Sequence, residues 1–295
     1  MGFDARTPLP TTAGWVPAAL LKPGDMVFGF DGKPVKVVST QIYKPRECFK
    51  VWLKDGLTLV VDKRTGFPVY DRRAFRAFRM WRRSELRRKS TIIRPLGVEA
   101  LMDYRFGTGR VPTCAPIDPP ERALPVDPYV FGGWVLDRGQ KRRMSRFDIT
   151  RELLEKYPTI PKDIPEEYMF GSFWQRVQLL RGMIDARKAV YKPDKRVFIL
   201  IVKSHKLARQ IQQLVESLGA RSAIHRIYVR GQYYVQFRTL IRLVENQQPP
   251  LRPYYLETRL ITKIEPVEPR DCIFIKTEAE NNTFVVSEGF LGVSL

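Results

Sequence analysis

Histidine and cysteine are scarce in this chain: two histidines and three cysteines among 295 residues. Cys48, Cys114 and Cys272 have no CxxC spacing, and His205 and His225 stand apart from them. The pattern argues against a zinc site. An odd cysteine count with no apolar signal-like stretch speaks for a reducing interior and against secretion. No run approaches the ~18 apolar residues that a membrane helix needs. Acidic residues are short as well. Asp and Glu total 31 against 51 Lys and Arg, a net charge of +20. An excess of that size implies a polyanionic partner, DNA or RNA, drawn in through phosphate contacts.

What is present is organised as β, then a mixed insert, then β again. "DMVFGFDGKPVKVVSTQIY" and "ECFKVWLKDGLTLVVD" hold short apolar runs around Asp31-Gly32 and Asp55-Gly56. Asp-Gly between such runs predicts hairpin turns, because both residues tolerate positive φ. The next stretch, "DRRAFRAFRMWRRSELRRKS", is the most basic of the chain. Arg72, Arg73, Arg76, Arg79, Arg82, Arg83, Arg87 and Arg88 interleave with Phe75, Phe78 and Trp81, a pattern expected of a phosphate-tracking patch. The proline-rich run from Val111 to Tyr129 marks a boundary. Beyond it come two short apolar helices, "PYVFGGWVLDRG" and one from about Phe173 to Asp185. Each carries glycines and ends near an acid, Asp137 or Asp185. Helical glycine costs ~1 kcal/mol relative to alanine and is tolerated where another backbone comes very close. "RVFILIVKS" predicts a strand, "SHKLARQIQQLVESLGAR" an amphipathic helix stopped at Gly219, and "AIHRIYVRGQYYVQF" a hairpin around Arg230-Gly231. A first and last segment of like character imply adjacent chain ends in one domain.

These residues together resemble an intein carrying a homing endonuclease of the LAGLIDADG type, especially those found in phage terminase genes. "TPLPTTAGWVPAALLKPGDMVFGFDGKPVKVV" looks like the opening block of the splicing domain, "ECFKVWLKDGLTLVVD…FPV" like its second block, and "DCIFIKTEAENNTFVVSEGF" like the closing blocks. "DPYVFGGWVLDRG" and "QRVQLLRGMIDARKAV" look like the paired endonuclease helices. The resemblance implies an α+β fold class. Residues 1–110 and 258–295 would form an all-β, Hint-like horseshoe. Residues 111–257 would form an inserted endonuclease-like domain, whose first half is shortened to about 35 residues between Asp137 and the next helix. In this family the two helices pack against each other through small residues, and an acid from each binds divalent metal at the scissile phosphates.

Departures from the pattern matter as much as matches. The splicing nucleophile, a cysteine or serine, corresponds here to Gly2. The histidine of the second block corresponds to Thr65, while Asp62 of that block persists. The closing histidine and asparagine correspond to Ser294 and Leu295, with no flank after them. Four replaced positions predict a free-standing chain that no longer splices. In the first helix Asp137 fits the metal-binding acid, although Arg138 follows in place of glycine. In the second helix "DARK" puts Asp185 at the first acid and Arg187 at the metal-binding one. Asp137 and Asp185 are therefore the candidate catalytic and Mg-binding residues only if the nuclease works; otherwise no cofactor is expected. Lys141, Arg142, Arg143, Arg146, Arg187 and Lys188 join the Arg72–Arg83 patch as candidate nucleic-acid contacts.

Three functions are consistent with this reading. The first is a DNA-binding protein derived from an intein endonuclease, without catalysis, RNA being the alternative ligand. The second is an active Mg-dependent homing endonuclease or nickase. The third is a structural part of a phage particle or other nucleoprotein assembly. The expected setting is a bacterial or phage-infected cytoplasm or a virion, without membrane attachment, with the chain monomeric when alone.

Overall fold

A computed structural model of the chain describes residues 1–45, 47–70, 93–102, 110–137, 162–247 and 258–295. The chain divides into two compact units: Met1–Cys114 together with Thr258–Leu295, and Ala115–Glu257. The architecture is mixed and mostly β, with several antiparallel sheets and few helices among the described residues.

The first segment supplies β1 (Phe3–Asp4), β2 (Pro8–Pro10), β3 (Trp15–Pro17), β4 (Met26–Phe28), β5 (Pro34–Tyr43), β6 (Cys48–Leu53), β7 (Thr58–Asp62), β8 (Gly66–Tyr70), β9 (Ile93–Gly97), the short helix α1 (Val98–Met102) and β10 (Arg110–Pro112). The middle of the chain supplies β11 (Ala189–Lys192), β12 (Val197–Val202), β13 (Arg221–Ile227) and β14 (Gln232–Arg238). The last segment adds β15 (Thr258–Val267), β16 (Cys272–Thr277), β17 (Thr283–Val286) and β18 (Leu291–Ser294).

In the first unit one sheet runs β10-β15-β6-β7-β1-β16-β5-β4, a second runs β17-β18-β8-β9, and β2 pairs with β3. Strands of the last segment are thus interleaved with strands of the first: β15 pairs with β6, and β16 lies between β1 and β5. One core serves both segments, with Phe3, Val27, Val51, Val61, Phe67, Ile273, Phe284 and Val293 inside it. Burying those side chains needs both ends of the chain, since neither segment alone covers its own apolar faces. The Asp-Gly pairs sit at turns as their chemistry requires. Gly32 and Gly56 have φ of 82° and 86°, values at which a Cβ is strained. Asp55 has a second role. Its Oδ2 lies 2.9 Å from Nε of Arg259, both side chains 1% exposed, and Arg259 also donates to the carbonyl of Gly289. That buried ion pair ties the β6–β7 turn to the last segment.

The second unit holds α2 (Pro128–Asp137), α3 (Glu166–Met169), α4 (Phe173–Met183) and α5 (His205–Ser217), with a four-stranded sheet ordered β11-β12-β14-β13. Ser172 starts α4 as an N-cap, in a reciprocal capping box with Gln175, which satisfies two otherwise unpaired amides. Arg176 is fully buried. Its guanidinium donates to the carbonyls of Gly171, Ser217 and Ile117 and to the Ser217 hydroxyl, so α4 is tied to the end of α5. No helix among the described residues is long and apolar enough to cross a membrane.

The second helix spans Phe173–Met183, close to its sequence expectation, and is followed by a five-residue π-turn, Ile184–Lys188, that the sequence did not announce. Within that turn Ile184 and Ala186 stay buried while Asp185 is exposed. Apolar burial on one side keeps the chain wound past the last α-helical residue, in the wider spacing of a π-turn.

Candidate functional site

Residue 2 of the first unit sits at a crowded junction. Gly2 N donates to Thr65 Oγ1 at 2.9 Å, and Gly2 O accepts from Asp62 N at 2.9 Å. The Thr65 hydroxyl lies 2.6 Å from Gly2 O and 3.0 Å from Asp62 Oδ1; its single proton can serve one of the two at a time. Asp62 Oδ1 also accepts from the amides of Arg64 and Thr65, each at 2.9 Å. Its Oδ2 accepts from Tyr43 Oη at 2.6 Å and lies 3.0 Å from the Met1 nitrogen. Burial pushes the Asp62 carboxyl up, but the hydrogen bonds from Tyr43, Met1 and Thr65 outweigh it and hold the group below its ordinary value. Burial and the adjacent carboxylate push the Tyr43 phenol upward.

Space at this junction is closed. A Cβ built on Gly2 would lie 2.6 Å from Ile273 O and 2.7 Å from Tyr43 Oη. The first obstacle is backbone in a paired strand and cannot swing aside. The structure brings Gly2 and Thr65 into direct contact and pairs Ser294 with Gly66, the neighbour of Thr65. The Ser294 hydroxyl donates to Asn281 O at 3.0 Å, and Leu295 O accepts from Asn282 Nδ2 at 3.1 Å. The groups beside Gly2 are all engaged: the Tyr43 and Thr65 hydroxyls are hydrogen bonded and the Met1 nitrogen is held by Asp62.

In the second unit the two glycine-bearing helices approach to backbone contact. A Cβ on Gly132 would collide with Leu179 O and come within 3.2 Å of Met183 N. A Cβ on Gly182 would collide with Tyr129 O and lie 3.0 Å from Gly133 N. The two sets of neighbours correspond under one offset of 50 positions (182 − 132), which also relates residue 179 to 129 and 183 to 133. The helices are therefore related by a local pseudo-twofold. The offset holds as far as Met183; past it the π-turn changes the winding, so only in sequence numbering does position 137 correspond to 187 and position 135 to 185. Asp185 accepts a hydrogen bond from Tyr129 Oη at 2.9 Å. No group of three metal-capable side chains gathers among the described residues.

The four-stranded sheet of this unit has unlike faces. Phe198, Leu200, Val202, Val235 and Phe237 point to a buried side. Opposite them, cross-strand rows place Val190, Ile199, Gln236 and Ala223 together, then Ile201, Tyr234 and His225. Every residue of these rows is half-buried or exposed, Val190 at 47%. His225 stacks on Tyr234 at 4.6 Å with 19° between rings. Lys192, Arg221 and Arg238 stand on the same face at its end, where Lys192 and Arg238 are exposed.

The residues singled out from sequence fare differently. Arg72, Arg73, Arg76, Arg79, Arg82 and Arg83 lie outside the described residues, as do Arg138, Lys141, Arg142, Arg143, Arg146 and the shortened stretch after Asp137. Asp137 closes α2, and Arg187 and Lys188 close the π-turn. Sequence reasoning missed Tyr43, which has no motif around it and reaches Asp62 only through the sheet. It also missed the open face of β11–β14, whose alternation is blurred because several outward residues are apolar.

No protein-family profile matches the chain. The replicative DNA helicase DnaB of Mycobacterium intracellulare is 28% identical over 254 residues, 76% of this chain and 44% of that protein. The chain thus spans less than half the length of this curated relative. Among solved structures, the MchDnaB-1 intein aligns over 99% of both chains at 12% identity and a TM-score of 0.38. The Msm DnaB1 intein splicing domain bound with zinc covers 99% of both chains at 11% identity and a TM-score of 0.37. The gp41-1 intein covers 100% of this chain and 98% of its own at 9% identity and a TM-score of 0.36.

Proposed function

We propose that this chain is an intein-derived nucleic-acid-binding protein in which splicing is lost and strand cleavage is absent. The observation that carries the reading is the state of residue 2. A splicing domain needs a thiol or hydroxyl there to take the acyl group. Here the residue is Gly2, and Ile273 O stands 2.6 Å from where a Cβ would be. The similarity to DnaB fits an intein carried by that protein rather than its motor. The sequence has no G-x-x-x-x-G-K-[ST] phosphate loop, and every described ladder is antiparallel, whereas a phosphate loop follows a strand and opens a helix, usually in a parallel sheet. With the chain placed between two reporter flanks, we expect neither ligated nor cleaved product, and the same from Gly2→Cys, whose side chain has no room. Ligated flanks from the unaltered chain would overturn the reading.

Binding is assigned to the second unit, read as a reduced endonuclease of the LAGLIDADG type. The support is the half-open sheet face, with its His225–Tyr234 stack and the basic end formed by Lys192, Arg221 and Arg238, in a chain of net charge +20. DNA is the intended ligand; RNA is a separate outcome of the same titration. Fluorescence anisotropy across a salt series should give a linear fall of log affinity with log salt. Lys192→Ala with Arg238→Ala should flatten that slope by about 0.9 per lost phosphate contact on duplex DNA. An unchanged slope excludes this face.

The residues present do not suit a divalent metal. The sequence register sets Arg187, a cation that repels a divalent metal, in the place of the second acid, and Asp185 accepts a hydrogen bond from Tyr129. Plasmid incubated with Mg²⁺ or Mn²⁺ should not be linearised. Linear product from the unaltered chain that disappears in Asp185→Asn would make the protein a working endonuclease.

A further inference from the structure

Cys48 and Cys272 are 224 positions apart in sequence, yet their Sγ atoms lie 3.9 Å apart in the first unit. Both are reduced and buried, 1% and 0% exposed. They form a small cluster with Val60, flanked by Tyr43 and Val267. The surrounding hydrogen bonds hold the pair in place. Arg270 N points to Cys48 Sγ at 3.5 Å. Cys48 is the cross-strand partner of Asp62, and Cys272 that of Tyr43. Tyr43 and Asp62 are in turn walls of an open cavity of about 620 Å³, lined also by Met1, Pro45, Lys63 and Arg64. The thiols therefore sit one layer beneath a surface opening, close enough that an approach of roughly 2 Å would reach the S–S bond length of about 2.05 Å.

We infer that Cys48 and Cys272 form a redox modification site that takes small disulfides of the oxidised-glutathione class and closes an internal disulfide. One cysteine, as thiolate, attacks a sulfur of the small disulfide, making a mixed disulfide and releasing one small thiolate. The second cysteine, on losing its proton, attacks the protein sulfur of that mixed disulfide and expels the other small thiol. Two protein thiols are oxidised, one small disulfide is reduced to two thiols, and no other reactant is needed. Burial, and then the neighbouring Cys48, push the Cys272 thiol up, so exchange in the folded chain is slow. Cys114 is also buried and serves as the internal control. The product would join the first residue of β6 to the first residue of β16 and enclose every residue of the second unit in one covalent loop. Loops of that length restrict the unfolded chain strongly.

The test equilibrates the full chain in oxidised glutathione at mildly alkaline pH, then denatures it and alkylates remaining thiols. Before alkylation the mass should be two hydrogens below that of the reduced chain, and after it one cysteine, Cys114, should be alkylated. A Cys48–Cys272 linked peptide should appear in the digest, and the melting temperature of the oxidised chain should be higher by about 5 °C or more. Dithiothreitol should reverse all four, and Cys48→Ser should show no internal disulfide, no linked peptide and no melting gain. Three alkylated thiols after equilibration, a stable glutathione adduct in place of the internal bond, or a melting gain retained in Cys48→Ser would each overturn the site. The result is independent of whether the chain binds nucleic acid or splices.

Discussion

The two units use glycine for opposite ends. In the second unit, Gly132 and Gly182 let two helices touch backbone to backbone, and the missing side chains build the interface. In the first unit, Gly2 sits where no side chain fits, with Ile273 O and Tyr43 Oη filling the place of a Cβ. One glycine pair makes structure; the other glycine marks chemistry that the proposed reading takes as lost. The contrast teaches that an absent side chain can serve packing or merely be enforced by it. The first-unit core is made of Phe3, Val61, Ile273 and Phe284. Gly2, Thr65 and Ser294, which the proposed reading assigns to lost chemistry, do not belong to it, so under that reading the packing does not depend on them.

The comparison can be broken at several points. The largest effect should come from the first unit's buried ion pair. Asp55→Ala leaves Arg259 charged and buried, and should cost about 3–5 kcal/mol in urea unfolding. Replacing both, Asp55→Leu with Arg259→Met, should cost much less. Equal losses from the single and double changes would show that shape, and not the stranded charge, is what matters there.

Next comes the helix contact of the second unit. Gly182→Ala forces a methyl group against Tyr129 O, a backbone atom, and should destabilise by about 3 kcal/mol. Gly2→Ala meets Ile273 O in the same way. If the units unfold separately, each substitution should lower only its own transition in a calorimetric scan. A single transition lowered by both would show the two units melting as one.

A smaller effect is expected from Thr65→Val. It keeps the shape and removes the acceptor for Gly2 N, leaving a buried amide unpaired at a cost of about 1–3 kcal/mol. Thr65→Ser should recover most of it. Should Thr65→Val prove neutral, the hydroxyl would be a bystander.

The smallest effect is a pH dependence. Asp62 and Asp4 are both held below their ordinary values. In each, burial raises the carboxyl and hydrogen bonds more than offset it, from Tyr43 first for Asp62 and from Arg6 first for Asp4. A lowered folded value means the stabilisation is present above an ordinary carboxylate pKa of about 4. It is lost as pH falls from there through the folded value. Melting temperature should accordingly drop below about pH 4. Tyr43→Phe removes the hydrogen bond to Asp62, raises its folded value toward the ordinary one and should make the drop smaller; an unchanged acid limb would remove Asp62 from the account.

Much of the local structure was legible in the residues. Asp31-Gly32 and Asp55-Gly56 sit at turns because positive φ is a property of the residue itself. The strand Val197–Val202 follows from its unbroken apolar run, rich in β-branched residues, and the helix His205–Ser217 from the period of its apolar positions. The extent of α4 was legible, but its continuation was not. The π-turn through Asp185 depends on burial of Ile184 and Ala186 by neighbours that a local pattern does not reveal.

The site divides in the same way. Sequence alone determined which residue types stand at Gly2, Thr65, Ser294 and Leu295, the positions that the resemblance to inteins singles out. Tertiary structure alone decided that Gly2 has no room for a side chain and that Tyr43 reaches Asp62. Only there do Cys48 and Cys272 meet, or one offset of 50 (182 − 132) relate the two helices. Residue identity is written in the chain one position at a time, whereas clearance and contact are set by strands brought together from its two ends.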